Sequence, residues 1–307
     1  ALPIWDIMNF VEIKGLTKKF GKFTALNNID LSMNPGEIYG FIGPNGAGKS
    51  TTIRVLLGML KPTSGQVTIM NKDAWKDAVE IHKRVSYVPG EANLWPNLTG
   101  GEVIDLFLSI RGNSSQKKRD ELIELFDLDP SKKCRAYSKG NRQKIALISA
   151  FASESDLYIL DEPTSGLDPL MERIFQECVL NVKKQGKSVL LSSHILSEVE
   201  KLCDRVAIIR EGQIIEKGTL DEMRHLTRTK VTVSTRKTLD GIENIKGIHN
   251  IAQSSNHLEF QADTEEIGKI ISYLSTFEIL KLECSPPTLE DLFMRHYEGN
   301  HSSKGDK

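Results

Sequence analysis

The sequence contains 307 residues, with 40 basic and 41 acidic side chains and a formal net charge of −1. This balance argues against the overall basic footprint of a chain that binds nucleic acid or an anionic membrane surface. No uninterrupted apolar run approaches the roughly 20 residues that a membrane-spanning helix requires. The length favours two domains, and the apolar fraction of 39% is typical of a soluble globular protein. The four cysteines form no C-x-x-C pair, which favours a reducing cytoplasm over a zinc site or a disulfide framework.

The N-terminal segment is predicted to be rich in strands. Alternating apolar residues indicate strands at residues 10–13 and 29–33, and residues 18–22 are predicted to form a turn. Residues 37–42 form a third, more apolar strand. We expect these strands to include an antiparallel layer.

A phosphate-binding motif follows the third strand. Residues 43–51 read GPNGAGKST and match the pattern G-x-x-x-x-G-K-[ST] in full. The apolar strand before the motif and the helical pattern after it would aim backbone N–H groups and a helix N-terminus at one point. Lys49 would then reach the β- and γ-phosphates, and the Ser50 hydroxyl would coordinate Mg²⁺. The alternative is a glycine-rich turn that binds nothing, which the flanking strand and helix disfavour.

Alternating helices and strands continue to about residue 217. Helical periodicity covers residues 101–126, with an interruption at residues 112–115, and returns at residues 141–151. The further predicted elements are an apolar strand at 157–160, a helix at 171–184, a strand at 188–191, a helix at 195–202 and paired strands at 206–210 and 214–217. This order predicts an α/β domain with a mainly parallel central sheet.

Asp161 and Glu162 end the apolar strand at residues 157–160. Phosphoryl transfer in a P-loop protein needs one acid to hold Mg²⁺ and another group to orient the attacking water. Asp161 would hold the ion through a water, and Glu162 would polarise the water that attacks the γ-phosphorus. An Asp-Glu pair alone is an ordinary solvated turn. The sequence PTSGLDP that follows at residues 163–169 favours the catalytic interpretation.

Five motifs together resemble those of ABC-transporter ATPase subunits, in the order that this family has them, over about residues 10–225. They are the Walker A motif at 43–51, the signature YSKGN at 137–141, the Walker B strand at 157–162, the D-loop at 165–168 and the switch His194. The signature with Arg142 and Gln143, and the later segment PTLEDL at 287–292, resemble bacterial exporter ATPases whose permease is a separate polypeptide.

The resemblance implies a fold, partners and a location. The fold would be an α/β P-loop ABC cassette with a mainly parallel sheet, an antiparallel β layer and a helical subdomain. Two copies would enclose two ATP–Mg²⁺ at composite sites and drive export through an integral-membrane permease, without nucleic acid. The subunit would be cytoplasmic, held on the inner face of the membrane by the permease.

The resemblance also implies residue roles. Glu162 and His194 would be catalytic, while Ser50 and Asp161 would hold Mg²⁺. Ser138 and Gly140 would contact the γ-phosphate bound to the opposite subunit, Asp168 would communicate across the dimer, and Phe20 would stack on adenine. The nucleotide-binding residues would be Phe20, Gly43, Asn45, Gly46, Gly48, Lys49, Ser50, Thr51, Ser138, Gly140 and Asp168. Without the other motifs, the favoured interpretations are a core residue for Phe20, an ordinary partly buried histidine for His194 and a helix cap for Ser138.

Three positions depart from the family pattern. Lys139 and Asn141 replace the common Gly and Gln of the signature, and Gly90 stands where the family has a glutamine that contacts Mg²⁺. The loss of that side chain leaves open an ATP-dependent switch that barely hydrolyses ATP. A soluble ABC protein that acts on nucleic acid or ribosomes is a further alternative, although the chain has one cassette and balanced charge.

A second domain is predicted after a change in composition near residue 229. We expect an ABC ATPase domain at 8–228, with its helical subdomain at about 91–152, and an accessory domain at 229–297. The accessory domain has the predicted order βαββαβ followed by a helix, which resembles a small ferredoxin-like α+β fold. Residues 298–307 are polar and are expected to be disordered.

Overall fold

The computed structural model describes residues 9–112, 115–225, 228–237, 241–242, 245–254, 257–285 and 288–290. The chain divides into two compact units, Ala1–Gly218 and Thr219–Lys307. Within the described part of the chain, no helix is long and apolar enough to cross a membrane. The tail at 298–307 lies outside the described residues, as does most of the first and of the last helix predicted for the accessory domain.

The centre of the first unit is a six-stranded sheet. Its strands are β3 (Ile38–Ile42), β6 (Val85–Val88), β7 (Leu157–Asp161), β8 (Ser188–Ser193), β9 (Arg205–Arg210) and β10 (Gln213–Thr219). They lie in the order β10-β9-β3-β8-β7-β6, and the pairs from β9 to β6 are parallel. Every residue of β3, β7 and β8 is buried, because helices and a second sheet cover both faces. The predicted parallel sheet is confirmed.

A second, antiparallel sheet covers part of the first. It is formed by β1 (Val11–Phe20), β2 (Phe23–Met33), β4 (Ser64–Ile69) and β5 (Lys72–Asp73), in the order β2-β1-β4-β5. Residues 18–20, predicted as a turn, instead continue β1, and β2 begins six residues earlier than expected. The reason is a two-residue connection, in which Gly21 at φ 57° lets Phe20 pair directly with Phe23.

Eight α-helices lie between residues 49 and 225 of the described chain, the last of them in the second unit. They are α1 (Lys49–Leu56), α2 (Ala78–His82), α3 (Gly100–Arg111), α4 (Gln116–Leu125), α5 (Lys139–Ala152), α6 (Pro169–Lys184), α7 (Leu196–Leu202) and α8 (Leu220–His225). Side chains define several N-termini, since Thr99 and Glu102 form a capping box at α3 and Ser115 caps α4. Helices α3 and α4 both pack against α5, which forms the helical part of the unit.

The second unit has its own sheet and core. Its elements are β11 (Thr229–Thr235), β12 (Ile248–Ser254), β13 (His257–Ala262), α9 (Ile267–Ser275) and β14 (Ile279–Ser285). The sheet is antiparallel in the order β12-β13-β11-β14, so strands of the two halves interleave as in a ferredoxin-like split βαβ fold. Val231, Phe260 and Leu274 are among the buried residues of its core. The predicted small α+β fold class is confirmed.

Candidate nucleotide-binding and hydrolysis site

The loop between β3 and α1 has a conformation that requires glycine. Gly48 lies at φ 114° immediately before α1, and a Cβ atom there would lie 2.7 Å from a methyl group of Leu26. Gly46 has φ 81°, which is also in the left-handed region. The loop therefore turns directly from a buried strand into a helix, whose N-terminus favours negative charge.

Lys49 is the first residue of α1, and its amine is held inside the loop. Its side chain is 5% exposed, and Nζ donates hydrogen bonds to the carbonyl oxygens of Gly43 at 2.6 Å and Pro44 at 3.2 Å. Nζ also lies 3.1 Å from Glu162 Oε1. A buried ammonium needs such partners, because an unpaired charge in the interior is strongly destabilising. The motif thus places a fixed cation beside the carboxylate predicted to be catalytic.

Asp161 and Glu162 follow β7 in two different environments. Asp161 is buried, and its carboxylate accepts a hydrogen bond from the Ser192 hydroxyl on the neighbouring strand β8. Glu162 has a left-handed backbone at φ 47°, and its N–H donates to the Ser192 carbonyl oxygen at 2.9 Å. Such a conformation is uncommon for a residue with a Cβ. The turn directs the Glu162 side chain toward the P-loop, whereas the Asp161 side chain stays buried in contact with Ser192.

His194 follows β8 and contacts the same glutamate. Its Nδ1 lies 2.8 Å from Glu162 Oε2, and its side chain is 52% exposed. One carboxylate oxygen of Glu162 therefore faces Lys49 and the other faces His194. The fold brings these three side chains together, although Lys49 is more than 100 residues from Glu162 in the sequence and His194 is more than 30 residues from it.

An open cavity of about 170 Å³ lies over the loop. Its lining residues are Phe23, Ala25, Pro44, Asn45, Gly46, Gly48, Lys49, Ser50, Thr51 and Glu162. Ser50 and Asp161 supply a hydroxyl and a carboxylate, which are the oxygen ligands that Mg²⁺ prefers, so the donor set fits this ion. The aromatic side chain in this lining is Phe23, which was not among the residues predicted from the sequence. A prediction of the two-residue hairpin, which pairs Phe23 with Phe20, could have identified Phe23 as a candidate.

Phe20 lies on the same hairpin end, half exposed, with Lys18 Nζ 5.0 Å from its ring centroid. A cation at this distance over a phenyl ring is a favourable contact. Phe20 and Phe23 therefore stand opposite each other as an aromatic pair in the strand register, and of the two Phe23 lines the cavity.

The signature residues Ser138 and Gly140 do not lie in the P-loop cavity of this chain. Ser138 caps α5 by accepting a hydrogen bond from the N–H of Asn141 at 3.3 Å. Gly140 packs against the carbonyl oxygen of Gly166, where a Cβ atom would clash. Lys139 Nζ donates to Ser165 Oγ at 2.8 Å. Neither Ser138 nor Gly140 is among the residues that line the P-loop cavity.

Asp168 caps the helix that follows the D-loop. Its carboxylate accepts hydrogen bonds from the N–H groups of Leu170 and Met171, both at 3.0 Å, and Pro169 occupies the first helical position. This is the arrangement that stabilises a helix N-terminus. The Asp168 carboxylate therefore has a structural role within a single chain, as a helix cap.

The loop after β6 places Gly90 against the Walker B turn. A Cβ atom at Gly90 would lie 3.2 Å from the carbonyl oxygen of Asp161. On the other side, buried Gln143 donates a hydrogen bond from Nε2 to the Pro89 carbonyl oxygen at 3.0 Å. Burial, together with the Asp161 carboxylate, raises the pKa of nearby Tyr87 to about 12. The Gln143 side chain thus holds this loop through the Pro89 backbone, next to the position where the family pattern has a glutamine.

This combination defines the protein as a P-loop ATPase of the ABC type. A P-loop joins a buried parallel strand to a helix, and the acidic pair ends a strand of the same sheet. Residues 26–165 match the sequence family described as ABC transporter. Residues 218–297 match the C-terminal domain of the family described as ATP-binding protein DrrA1-3-like.

Curated relatives match almost the whole chain. The bacitracin transport ATP-binding protein BcrA of Bacillus licheniformis is 30% identical over 93% of this chain and 96% of its own length. The uncharacterized ABC transporter ATP-binding protein YhaQ of Bacillus subtilis is 32% identical over 92% and 96%, respectively. The chain therefore belongs to the family of ABC transporter ATP-binding proteins, and it is a transporter ATPase.

Solved structures give the same assignment. An ATP-binding subunit of an ABC transporter aligns with a TM-score of 0.66 at 32% identity, over 71% of this chain and 92% of that one. The cassette MJ0796, solved as a dimer in a post-hydrolysis state with ADP and Pi, aligns with a TM-score of 0.63 at 26% identity. That alignment covers 68% of this chain and 98% of MJ0796. The predicted cassette fold is confirmed.

Proposed function

We propose that this chain is the motor subunit of an ABC exporter. Two copies would bind two ATP–Mg²⁺ at composite sites and drive export through a separate membrane permease. The observation that carries the proposal is the contact of Glu162 with both Lys49 and His194 beside the P-loop. The name of the relative BcrA, a bacitracin transport ATP-binding protein, supports a transport role, whereas the substrate of this chain would be set by its permease.

Each residue of the contact has a distinct role in this proposal. Lys49 would exchange the Glu162 carboxylate for the β- and γ-phosphates, because the carboxylate and the phosphates are alternative anionic partners for the same ammonium group. Glu162 would then orient and polarise the attacking water, and His194 would hold Glu162 and contact the γ-phosphate. Ser50 and Asp161 would hold Mg²⁺, which neutralises charge on the phosphate oxygens.

The second copy completes the site in this proposal. One chain contributes one P-loop and one signature, and Ser138 and Gly140 lie away from its own cavity. In a two-fold dimer each signature would meet the partner's nucleotide, with Asp168 near the junction. The hairpin end of Phe20 and Phe23 would flank the adenine. The dimer would sit in the cytoplasm, on the inner face of the membrane, through the permease.

The domain organisation is part of the proposal. The ATPase domain would span 8–228 with its helical subdomain at about 91–152, and 229–297 would be an accessory module. The second unit folds around its own core, which favours a separate module that tunes dimerisation.

Replacement of the proposed catalytic acid tests this function. Purified Glu162→Gln is expected to bind ATP normally but to hydrolyse it about 10²–10⁴-fold more slowly, the usual cost of losing one positioned acid–base group. Phosphate release and binding of a fluorescent ATP analogue give the two measurements. Glu211→Gln is the matched control, because Glu211 has a similar left-handed backbone, φ 49°, but an exposed side chain. Near-normal hydrolysis by Glu162→Gln would refute the proposed role.

A further inference from the structure

A buried carboxylate lies behind the Glu162–His194 pair and has no role in the mechanism above. Glu198 is on α7, four residues after His194, and is only 5% exposed. Burial raises its pKa above the usual value for a glutamate, although hydrogen bonds from Ser193 and Thr164 act in the opposite direction. Burying a carboxylate lowers the stability of the fold unless its contacts compensate for the lost hydration.

One oxygen of Glu198 connects two segments of the site. Ser193 Oγ donates a hydrogen bond to Glu198 Oε2 at 2.9 Å, and Thr164 Oγ1 lies 3.5 Å from the same oxygen in a weaker contact. Ser193 Oγ also accepts a hydrogen bond from the N–H of Ile195 at 3.0 Å. The Ser193 contact is therefore the principal one, and it fixes the turn that contains His194.

These contacts lie at the carboxyl end of the sheet. Strands β7 and β8 are paired up to Asp161 and Ser192, and one further backbone hydrogen bond joins the Glu162 N–H to the Ser192 carbonyl oxygen. Ser193 still pairs with Ile42 of β3, whereas Thr164 and His194 lie outside the strands. Thr164 lies two residues after Glu162, and Ser193 lies immediately before His194. Glu198 therefore adds a side-chain link between the two segments to the backbone pairing of the sheet.

The other oxygen of Glu198 strengthens the inference. Glu198 Oε1 is buried, and among the described residues it has no hydrogen-bond partner. An apolar side chain would avoid this desolvation cost, because a buried polar atom without a partner is destabilising. The presence of a carboxylate here is explained if Glu198 sets the position of the two segments and does not serve to stabilise the fold.

We propose that Glu198 is a positioning residue that holds the Glu162 and His194 segments in register for hydrolysis. It acts through Ser193 and Thr164 and does not contact nucleotide. This inference rests on the proposed function, because it assumes that Glu162 and His194 act on the attacking water. A displacement of about 1 Å in such a pair is enough to slow a reaction about 10²-fold.

Steady-state hydrolysis by the full-length protein tests this role. Glu198→Ala is expected to lower kcat for ATP about 10- to 100-fold with KM changed by less than about 2-fold, because Lys49 and the P-loop have other contacts. Glu198→Gln keeps an oxygen acceptor for both hydroxyl groups, so it is expected to retain kcat within about 3-fold. Glu172→Ala is the matched control, since Glu172 lines the same small cavity of about 60 Å³ next to Glu198.

Ser193→Ala and Thr164→Val test the role if Glu198→Ala fails to fold. Ser193→Ala is expected to lower kcat more than Thr164→Val, in line with the shorter contact. In the Glu198→Gln background, the Ser193→Ala effect on kcat should persist, because the amide oxygen replaces the carboxylate oxygen. Urea unfolding of each variant shows whether the loss of kcat exceeds any change in the folded fraction.

Two results would overturn the inference. They are a Glu198→Ala or Ser193→Ala protein with wild-type kcat, and a Glu198→Gln protein as slow as Glu198→Ala. Wild-type protein that does not hydrolyse ATP would instead refute the proposed function, and the inference with it. Active wild-type protein with an unaffected Ser193→Ala variant refutes the inference alone.

Discussion

At the scale of single residues, the site depends on one glutamate with two different neighbours. Glu162 reaches Lys49 with one oxygen and His194 with the other, and its left-handed backbone makes this possible. Strained conformations of this kind cost about 1–3 kcal/mol and are concentrated at functional sites. The strain at Glu162 is therefore explained by its position between the P-loop and the histidine.

The aromatic pair at the hairpin end gives a prediction at the same scale. Phe23 lines the P-loop cavity, whereas the family resemblance indicates Phe20. Phe23→Ala is expected to raise KM for ATP about 5- to 100-fold, because stacking on a base contributes ~1–3 kcal/mol. Phe20→Ala is the matched variant on the other strand of the hairpin, with a smaller expected effect. A larger rise for Phe20→Ala would place adenine on Phe20, and unchanged KM in both variants would exclude the hairpin from the site.

At the scale of elements, helix N-termini carry several of the motif residues. Ser138 is the N-cap immediately before α5 and Asp168 is the N-cap immediately before α6, and both side chains accept hydrogen bonds from the first turn. A signature or D-loop residue is therefore also a local structural residue. Mutations at these positions affect helix stability and any contact across a dimer together, unless the substitution keeps the cap.

Asp168 allows the two effects to be separated. Asp168→Ala is expected to lower the free energy of unfolding by about 1 kcal/mol, the usual cost of losing an N-cap. Asp168→Ser retains the cap, so it is expected to unfold within a few tenths of a kcal/mol of wild type. If Asp168 also communicates across the dimer, both variants should weaken ATP-dependent dimerisation, measured by light scattering. Wild-type dimerisation of Asp168→Ser would restrict this residue to capping.

At the scale of the whole molecule, the chain consists of an ATPase unit and a smaller unit with its own core. Each of the two cores contains its own sheet and apolar cluster. Among the described residues, those that line the P-loop cavity fall between Phe23 and Glu162, within the first unit. We therefore propose that the first unit binds nucleotide and that the second serves regulation or assembly.

Removal of the proposed accessory domain at 229–297, with the tail that follows it, tests this division. A truncation that ends at Arg228 is expected to bind ATP with an affinity within about 3-fold of the full chain, because the cavity residues are retained. Lys49→Ala in the same truncation is the control for specific binding. We expect the truncation to dimerise less tightly on ATP. A folded truncation that has lost nucleotide binding would show that residues after 228 contribute to the site.

The sequence by itself determined the features that depend on local order along the chain. The P-loop motif needs glycines at fixed offsets between a strand and a helix, so the pattern of residues 43–51 predicted its loop directly. The Ser138 cap, the apolar strand before Asp161 and the order of β12, β13, α9 and β14 in the second unit are local in the same sense. Apolar periodicity was sufficient for the parallel sheet and both fold classes.

Only the tertiary structure decided which distant side chains meet. Lys49, Glu162 and His194 converge because β3, β8 and β7 are neighbours in the sheet, an order that local propensity does not encode. The direct pairing of Phe20 with Phe23 shortened the predicted turn to residues 21 and 22, since cross-strand pairing outweighed the charged composition of residues 18–22. The link through Glu198 is visible only in the folded chain, because it joins residues 164, 193 and 198, which lie on three different segments around the end of the sheet.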